Sequence, residues 1–433
     1  MKKMIITLII IILIFIALII IIILLSNSNE GKIKCRYNIS DKLNDVQIIN
    51  KDFKKNSNID IIINGKKQIK FADRINFEEA GINVITFHFN NDINLDNMFK
   101  NISSLISVEM EGKGNLKITS MISTFENCTN LESFYISGFD VHDLKSVHKL
   151  FYKTKNLEKI NLDNFKNNNI EDMSFLFAES KICNTINFSN VISNKVTNIS
   201  NIFYGCKSLN SIDLINFETF SVNDASSMFE NCISLTSLNL SIFNTKNVKS
   251  MKNMFKNCTS LKNLYLDNIN TNEVQDFSSM FQNCTSLQEL NISNFNTKNA
   301  KDMSHMFDSC YSLKILNISN FETKNVQNMS FMFSSCYSLQ ILNVSKFDTS
   351  MVEDMSGIFY NLINVNNFDT SKVTNMSYMF ANANRIKKLD LINFNTKQVL
   401  DMKSMFESCY TAEIIDVSNF NTINVRDMSN MFS

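Results

Sequence analysis

Ten cysteines are the residues of this 433-residue chain whose spacing most suggests chemistry. Eight of them share one position in a repeated pattern: Cys128, Cys206, Cys232, Cys258, Cys284, Cys310, Cys336 and Cys409. An exported protein could pair such thiols, but we expect helix packing to separate neighbouring repeats there by about 8–10 Å, too far for a disulfide. Zinc is disfavoured because ligands 26 residues apart form a row, and no C-x-x-C pair occurs. We therefore predict a column of buried free thiols, with disulfides as the alternative.

The histidines give no indication of catalysis. His88, His142, His148 and His305 share no repeat position, and the sequence places no acidic or cysteine constellation beside them. The chain also lacks a Gly-rich phosphate loop, a nucleophile elbow and a paired-carboxylate signature. We therefore expect no catalytic residue, no metal site and no cofactor, and we predict that the chain is not an enzyme.

A column of polar side chains is the stronger candidate for a binding surface. Its members lie between the two apolar residues of each predicted strand and so point away from the core: Asn161, Asn187, Asp213, Asn239, Tyr265, Asn291, Asn317, Asn343, Asn364, Asp390 and Asp416. One interpretation is a structural ladder of amides bonded to one another. The other is a surface that hydrogen-bonds a glycan or a protein loop, with these ligand contacts: Tyr135, Asn239, Tyr265, Asn291, Asn317 and Asn343. Tyr265 is the first choice among them.

These residues are positioned by a repeat in which phenylalanine returns every 26 residues. Its fourteen members are Phe99, Phe125, Phe151, Phe177, Phe203, Phe229, Phe255, Phe281, Phe307, Phe333, Phe359, Phe380, Phe406 and Phe432. Only the interval from Phe359 to Phe380 is shorter, at 21 residues. Within one unit, the apolar residues first follow the pattern of a short strand, at Leu287, Leu290 and Ile292. After a polar turn they fall at helical spacing, at Ala300, Met303, Met306, Phe307 and Cys310.

One such unit cannot enclose its apolar residues, so neighbouring units must stack. This predicts an α/β leucine-rich repeat solenoid over residues 95–433, with a parallel strand face and short helices on the other face. Because helices need more room than strands, we expect an arc with the strands on its inner face. The stack should continue through the short interval with a local notch. The sequence shows no cap after Phe432, so we expect that the sequence is a fragment, that the last helix closes the stack inadequately, or that a partner covers it.

The N-terminus predicts a membrane anchor. An unbroken apolar run over residues 4–25 is long enough, as a helix, to cross a bilayer core of about 30 Å. Lys2 and Lys3 favour a cytoplasmic tail at residues 1–3 and an extracellular remainder. We predict an uncleaved, single-pass signal-anchor in the cell membrane, with a secreted form as the alternative if cleavage occurs near Ser28. Residues 26–94 contain β-rich runs and should form a linker and a small β-rich cap; a flexible stalk is the alternative.

The repeat resembles a known family. The stretch from Ser234 to Cys258, SLTSLNLSIFNTKNVKSMKNMFKNC, is similar to the BspA-like leucine-rich repeat family, in the variant common in mycoplasma surface proteins. The resemblance covers about Leu95 to the end of the chain. It implies a leucine-rich repeat solenoid on a cell surface and, more loosely, adhesion to host or neighbouring cells. It carries over no catalytic residue. The repeats of Phe151 and Phe177 depart from the pattern because they lack its cysteine.

Charge and composition narrow the function. The 42 basic and 42 acidic residues balance, so no charge excess favours nucleic acid as a partner. We predict a membrane-anchored surface protein that uses its repeats to bind a protein or glycan on another cell or the host. The alternative is a structural or immune-evasion surface scaffold without a single specific ligand.

Overall fold

The chain forms two compact units. The first comprises residues 1–147 and 154–169, and the second residues 148–153 and 170–433. The computed structural model describes residues 12–18, 29–40, 44–55, 58–68, 71–162, 165, 169–181, 194–214, 217, 219–339, 342–344, 346–360, 368–383, 388–389 and 391–433.

A seven-stranded sheet organises the first unit. The strands of this unit are β1 (Glu30–Ile39), β2 (Val46–Gln47), β3 (Asp60–Ile63), β4 (Lys66–Lys67), β5 (Arg74–Ile75), β6 (Gly81–Phe89), β7 (Ile93–Asn94), β8 (Leu105–Lys113), β9 (Ile118–Ser120), β10 (Ser133–Ser137) and β11 (Lys159–Ile160). The sheet order is β11-β10-β8-β1-β6-β3-β4, and the short pairs β2–β5 and β7–β9 lie outside it. β1 pairs antiparallel with both β6 and β8, whereas β8, β10 and β11 run parallel. The predicted β-rich segment therefore leads, within one sheet, into the parallel strands of the first repeats.

The first unit also shows how the β-rich segment covers the first repeat. Alternate residues of β1 and β6 are buried, as expected for strands with one face on a core. Phe87 of β6 packs edge-to-face on Phe99, with 5.8 Å between ring centroids, and Phe99 stacks on Phe125 at 5.6 Å. An aromatic contact from the β-rich segment thus covers one side of the first repeat ring.

The second unit is a stack of coils joined by parallel backbone ladders. Its strands are β12 (Ser237–Asn239), β13 (Asn263–Tyr265), β14 (Glu289–Leu290), β15 (Ile315–Leu316), β16 (Lys388–Leu389) and β17 (Ile414–Ile415). They pair in parallel as β12–β13, β14–β15 and β16–β17, each residue facing the one 26 positions later. A second ladder of parallel bridges runs without interruption from Asp172 to Asp427. The predicted solenoid with a parallel strand face is confirmed.

The predicted helices are wrong. Residues 303–310 instead form overlapping β-turns, closed by bonds from the amides of Met306, Asp308 and Cys310 to the carbonyls three residues earlier. The alternate amides donate to the next coil, as in the bond of 2.8 Å from the amide of His305 to the Ser330 carbonyl. A helix would use all of these amides internally, whereas overlapping turns leave every second one free to join the coils.

The predicted arc assumed that helices on the outer side need more room than strands. Because turns replace the helices, this assumption no longer holds. The ring centroids of Phe281 and Phe307 lie 5.7 Å apart at an angle of 8°, and those of Phe307 and Phe333 lie 5.7 Å apart at 6°. This separation is close to the strand spacing of about 4.8 Å and well below the 8–10 Å of packed helices. The rings on the turn side are therefore spaced more like strands than like packed helices.

The stack continues through the short interval, as predicted. Asp354 forms a parallel bridge with Asn375, and Phe359 stacks on Phe380 with 5.9 Å between centroids. The ladder of parallel bridges on the turn side therefore continues across this interval, although the interval is five residues shorter. Residues 361–367, where a notch is predicted, lie outside the described residues.

The described part of the predicted membrane segment is short. Residues 12–18 form a helix whose side chains are all exposed, including those of Leu13 and Phe15. Among the described residues, we find no helix with the length and apolar character needed to span a bilayer. The remainder of residues 4–25, the tail at 1–3 and Ser28 lie outside the described residues.

Candidate binding surface

The repeated cysteines serve the stack. Each buried thiol donates to a phenylalanine carbonyl of the preceding coil, as from Cys310 Sγ to the Phe281 oxygen at 3.1 Å. Burial raises the pKa of the Cys232 and Cys310 thiols to about 12. The predicted free thiols are found at Cys128, Cys232, Cys258, Cys284, Cys310, Cys336 and Cys409. The prediction is wrong for Cys206, which is disulfide-bonded, and the large coil separation on which it rested is also wrong.

Thiol reactivity follows from this burial. At neutral pH we expect an alkylating reagent to modify Cys409 before Cys232 or Cys310 in the folded chain, because Cys409 is half-buried and the other two are enclosed. Raised pKa values also leave few reactive thiolates at Cys232 and Cys310. Mass spectrometry of timed samples measures the order, and denatured chain provides the control in which all three react. Early modification of Cys310 in folded protein would contradict the account.

A column of buried threonines joins the coils in the polar segment that follows each strand. The Thr271 hydroxyl donates to the Asn296 carbonyl at 2.9 Å and accepts from the Asn296 amide at 2.7 Å. The Thr297 hydroxyl makes the same pair of bonds with Glu322, at 2.9 and 2.8 Å. Each hydroxyl thereby satisfies both backbone groups of one residue in the next coil. The threonine of the repeat is therefore a structural residue.

The strand face carries the side chains predicted to contact a ligand. In the first unit Tyr135 is 41% exposed, on the outer side of β10. In the second unit Tyr265 is 51% exposed and lies in register with Asn239 of the neighbouring strand. The other predicted contacts are also exposed: Asn291, Asn317 and Asn343. The structure thus brings Asn239, Tyr265, Asn291, Asn317 and Asn343 onto the strand face of one unit and places Tyr135 in the other.

The amides of Asn239, Asn291 and Asn317 do not form the ladder that was one interpretation of this face. Asn291 Oδ1 accepts from the Ser293 amide at 3.3 Å and from its hydroxyl at 2.8 Å. Asn239 and Asn317 bind their own following serines in the same way. An amide ladder does exist at another position of the repeat, where Asn257 Nδ2 donates to Asn231 Oδ1 at 2.8 Å.

The serine contacts fix the direction of each strand-face amide. A backbone N–H can only donate, so the side-chain atom facing it must be the oxygen. The Nδ2 groups of Asn239, Asn291 and Asn317 are then directed away from the serine, and the described residues contain no partner for them. Successive strands therefore present outward N–H donors about 4.8 Å apart.

Tyr265 interrupts this row of donors with an aromatic ring. Its hydroxyl has no partner among the described residues, and its backbone carbonyl accepts from the Leu240 amide at 3.0 Å. An exposed phenol offers an apolar face for a sugar ring or an aliphatic side chain, and its hydroxyl can donate or accept. Together with the neighbouring amides, it suits a ligand rich in hydroxyl or carbonyl oxygens.

The histidines have acidic neighbours that the sequence analysis missed. His305 Nδ1 lies 3.0 Å from Asp308 Oδ2, and the imidazole stacks on Phe331 with 5.0 Å between centroids. Burial alone would raise the pKa of Asp308, but hydrogen bonds from His305, Gln282 and Ser309 lower it overall. The three-residue spacing of His305 and Asp308 was the available signal, because residues three apart are neighbours on a helix as well as in this turn. In the described residues no three His, Cys, Asp or Glu side chains converge as a metal site would require.

Comparison with known proteins adds a family match. The family model described as "Mycoplasma protein of unknown function, DUF285" matches residues 93–194, 183–290, 260–366 and 359–433. No curated protein matches the sequence. Among solved structures, the chain is similar to a leucine rich cell surface protein from Faecalibacterium prausnitzii at 15% identity, covering 75% of this chain and 82% of that one, with a TM-score of 0.34. A chain of a TLR13–ssRNA13 complex matches at 16% identity over 73% and 56% of the two chains, with a TM-score of 0.15.

Proposed function

We propose that this chain, which belongs to the mycoplasma DUF285 family, is a non-catalytic surface protein whose repeats bind an external ligand. The recurrent cysteines, threonines and phenylalanines all have structural roles inside the stack. The coils therefore differ from one another in their exposed side chains. Binding through the strand face uses this variation without disturbing the core.

The exposed side chain of Tyr265 is the observation that best supports this proposal. The asparagines at the same position of neighbouring strands each bond a serine two residues later, so they contribute to local structure. Tyr265 makes no such contact and is half-exposed, so stacking gives no reason for a tyrosine at this position. Exposed tyrosines provide large contact area at a low cost in side-chain entropy. The ligand we propose is a glycan or a protein loop that offers oxygen acceptors to Asn239 and Asn291 while packing on this ring.

A membrane anchor at residues 4–25 would hold the repeats outside the cell. The described helix at residues 12–18 is apolar on every side, which suits lipid better than a water-exposed surface. Lys2 and Lys3 favour retention of the N-terminus in the cytoplasm. Fractionation of cells expressing the full chain or a chain without residues 1–25 tests the anchor. Recovery of the full chain only in the soluble fraction would refute it.

Removing the ring should abolish most of the binding. We expect Tyr265→Ala to weaken binding of the detergent-purified full chain by about tenfold or more, the effect of losing a well-packed aromatic contact. The measurement is binding to a printed panel of glycans and extracellular matrix proteins. Tyr265→Phe should retain the part of the binding that depends on ring packing.

Tyr311→Ala is the matched control, because Tyr311 is similarly exposed but stacks on Tyr337 outside the strand face. Equal losses in the Tyr265 and Tyr311 variants would contradict a strand-face site. Specific binding that survives Tyr265→Ala would place the site elsewhere. Absence of a specific binder from the whole panel would favour the scaffold alternative.

A further inference from the structure

A group of lysines occupies one edge of the coils in the second unit. We call Lys246, Lys249, Lys298, Lys301 and Lys324 the lysine edge; all five side chains are exposed. None of them forms an ion pair within the described part of the chain. The proposed strand-face function does not use these residues.

The backbone holds Lys246 and Lys298 in fixed positions. The Lys246 amide donates to Asn244 Oδ1 at 3.1 Å, and the Lys298 amide donates to Asn296 Oδ1 at 3.0 Å. In the following coil, Asn325 Nδ2 donates to the Lys298 carbonyl at 2.8 Å. Asparagines before the lysine and in the neighbouring coil therefore fix the loop from which its ammonium group extends.

A backbone ladder sets the spacing of Lys249 and Lys301. The Gln275 amide donates to the Lys249 carbonyl at 2.9 Å, and the Lys301 amide donates to the Gln275 carbonyl at 2.8 Å. With about 4.8 Å per coil, these two lysines are rooted about 10 Å apart. The lysine edge thus carries positive charge along the stacking direction on a regular backbone.

Stacking does not require lysine at these positions. Other coils carry Asn272 or Ser350 where Lys246 stands, and Gln275 or Gln327 where Lys249 stands. The neighbouring threonine and asparagine residues make the contacts between coils. The packing of the coils therefore does not explain why these positions carry lysine.

A polar groove lies beside these lysines. It has a volume of about 540 Å³ and is lined by residues that include Ser221, Asn223, Lys246, Asn247, Lys249 and Glu273. Hydroxyl and amide groups along such a groove can bond to sugar hydroxyls, while the ammonium groups bind anions. Glu273 and Glu322 lie among the five lysines, and Asp348 lies close enough to Lys324 for that charge to lower its pKa, so the five lysines outnumber these three carboxylates.

We propose that the lysine edge binds a linear anionic glycan, in which sulfate or carboxylate groups recur along the chain. Such a polymer would place its recurring anions against lysine pairs that lie two coils, or about 10 Å, apart, and its hydroxyls in the polar groove. A single-stranded nucleic acid would also need rings on which its bases stack. The positions between the lysines carry Asn272, Gln275 and Gln327, and the exposed ring of Phe220 lies one coil before Lys246 rather than between the lysines, so the observations favour a glycan.

Binding to immobilised heparin and hyaluronan tests the proposal, with neutral dextran and single-stranded RNA as comparison ligands. The detergent-purified full chain is compared with a variant carrying Lys246→Gln, Lys249→Gln, Lys298→Gln and Lys301→Gln. We expect at least tenfold weaker binding to the anionic glycan and a smaller dependence of affinity on salt. Heparin and hyaluronan separate recognition of sulfate from recognition of carboxylate.

A charge-matched control replaces four exposed lysines at other positions of the coils with glutamine: Lys207, Lys252, Lys262 and Lys314. It should bind within about threefold of the unmodified chain. Equal losses in the two variants would overturn a defined site, and so would preference for RNA or binding to neither anionic glycan. Tyr265→Ala should leave heparin binding unchanged, so failure of the lysine edge and failure of the strand face are distinguishable.

Discussion

Replacing Phe281 with alanine should destabilise the repeat stack by about 3–5 kcal/mol, the range for removing a buried aromatic ring. The Phe281 ring is fully buried and stacks on Phe255 at 5.6 Å and on Phe307 at 5.7 Å. Alanine would leave a cavity between three coils and remove two aromatic contacts at once. The measurement is the midpoint of urea unfolding, followed by far-UV circular dichroism, together with hydrogen exchange of the adjacent coils. Because each coil contacts only its neighbours, loss of protection should centre on these three coils.

Phe220→Ala is the control for this experiment. Phe220 belongs to the same unit but is 55% exposed, so its replacement should change stability by no more than about 0.5 kcal/mol. An equal, small effect of both substitutions would contradict the assignment of Phe281 to the core. Uniform loss of hydrogen-exchange protection along the whole unit would contradict the local coupling between coils.

Thr297→Val should cost about 1–3 kcal/mol although it hardly changes the volume of the side chain. The Thr297 hydroxyl is buried and bonds both the amide and the carbonyl of Glu322 in the next coil. Valine would leave the Glu322 amide without its partner, and a buried unsatisfied polar group costs about 1–3 kcal/mol. The measurement is again the midpoint of urea unfolding.

Thr297→Ser separates the hydroxyl from the methyl group. Serine keeps both hydrogen bonds and loses only one methyl, so we expect it to retain more than half of the stability that valine removes. If serine proves more destabilising than valine, methyl packing outweighs the hydroxyl and the threonine column does not join the coils as described.

The sequence predicted the repeat well because stacked coils require apolar residues at a constant spacing. The 26-residue return of phenylalanine required coils in register, and the structure places Phe307 between Phe281 and Phe333. The alternation of apolar residues predicted the strands and the outward direction of Asn239 and Tyr265. Both inferences rest on periodicity, because stacking places residues of the same repeat position next to one another.

The turn side could not be predicted from apolar spacing alone. Helices and overlapping turns both bring residues three and four apart to one side, so Met303, Met306 and Phe307 suit either. A discriminating signal was present in the polar residues. Asn253 and Asn257 have φ values of 55° and 60°, and other coils often carry Asn, Ser or Gly at these two positions. Repeated left-handed residues are incompatible with a continuous helix, and asparagine tolerates them best among residues with side chains.

The candidate sites depended on side-chain partners that no sequence pattern specifies. The strand-face amides were expected either to bond one another or to face a ligand, and the structure directs their oxygens to serines of the same coil. The recognition surface thus consists of the exposed polar groups that find no partner in the packing or the turns. It can be identified only after the packing and the turns are known.

Binding by a chain with Asn239→Asp, Asn291→Asp and Asn317→Asp tests most directly whether oriented strand-face amides recognise a ligand. Aspartate should keep the serine contact, as Asp416 does at the same position with the Ser418 amide at 3.0 Å. It replaces each outward N–H donor with an acceptor. On the panel of glycans and matrix proteins, we predict an unchanged unfolding midpoint and at least tenfold weaker binding to whichever ligand the unmodified full chain selects. Unchanged binding by the triple variant would contradict the account.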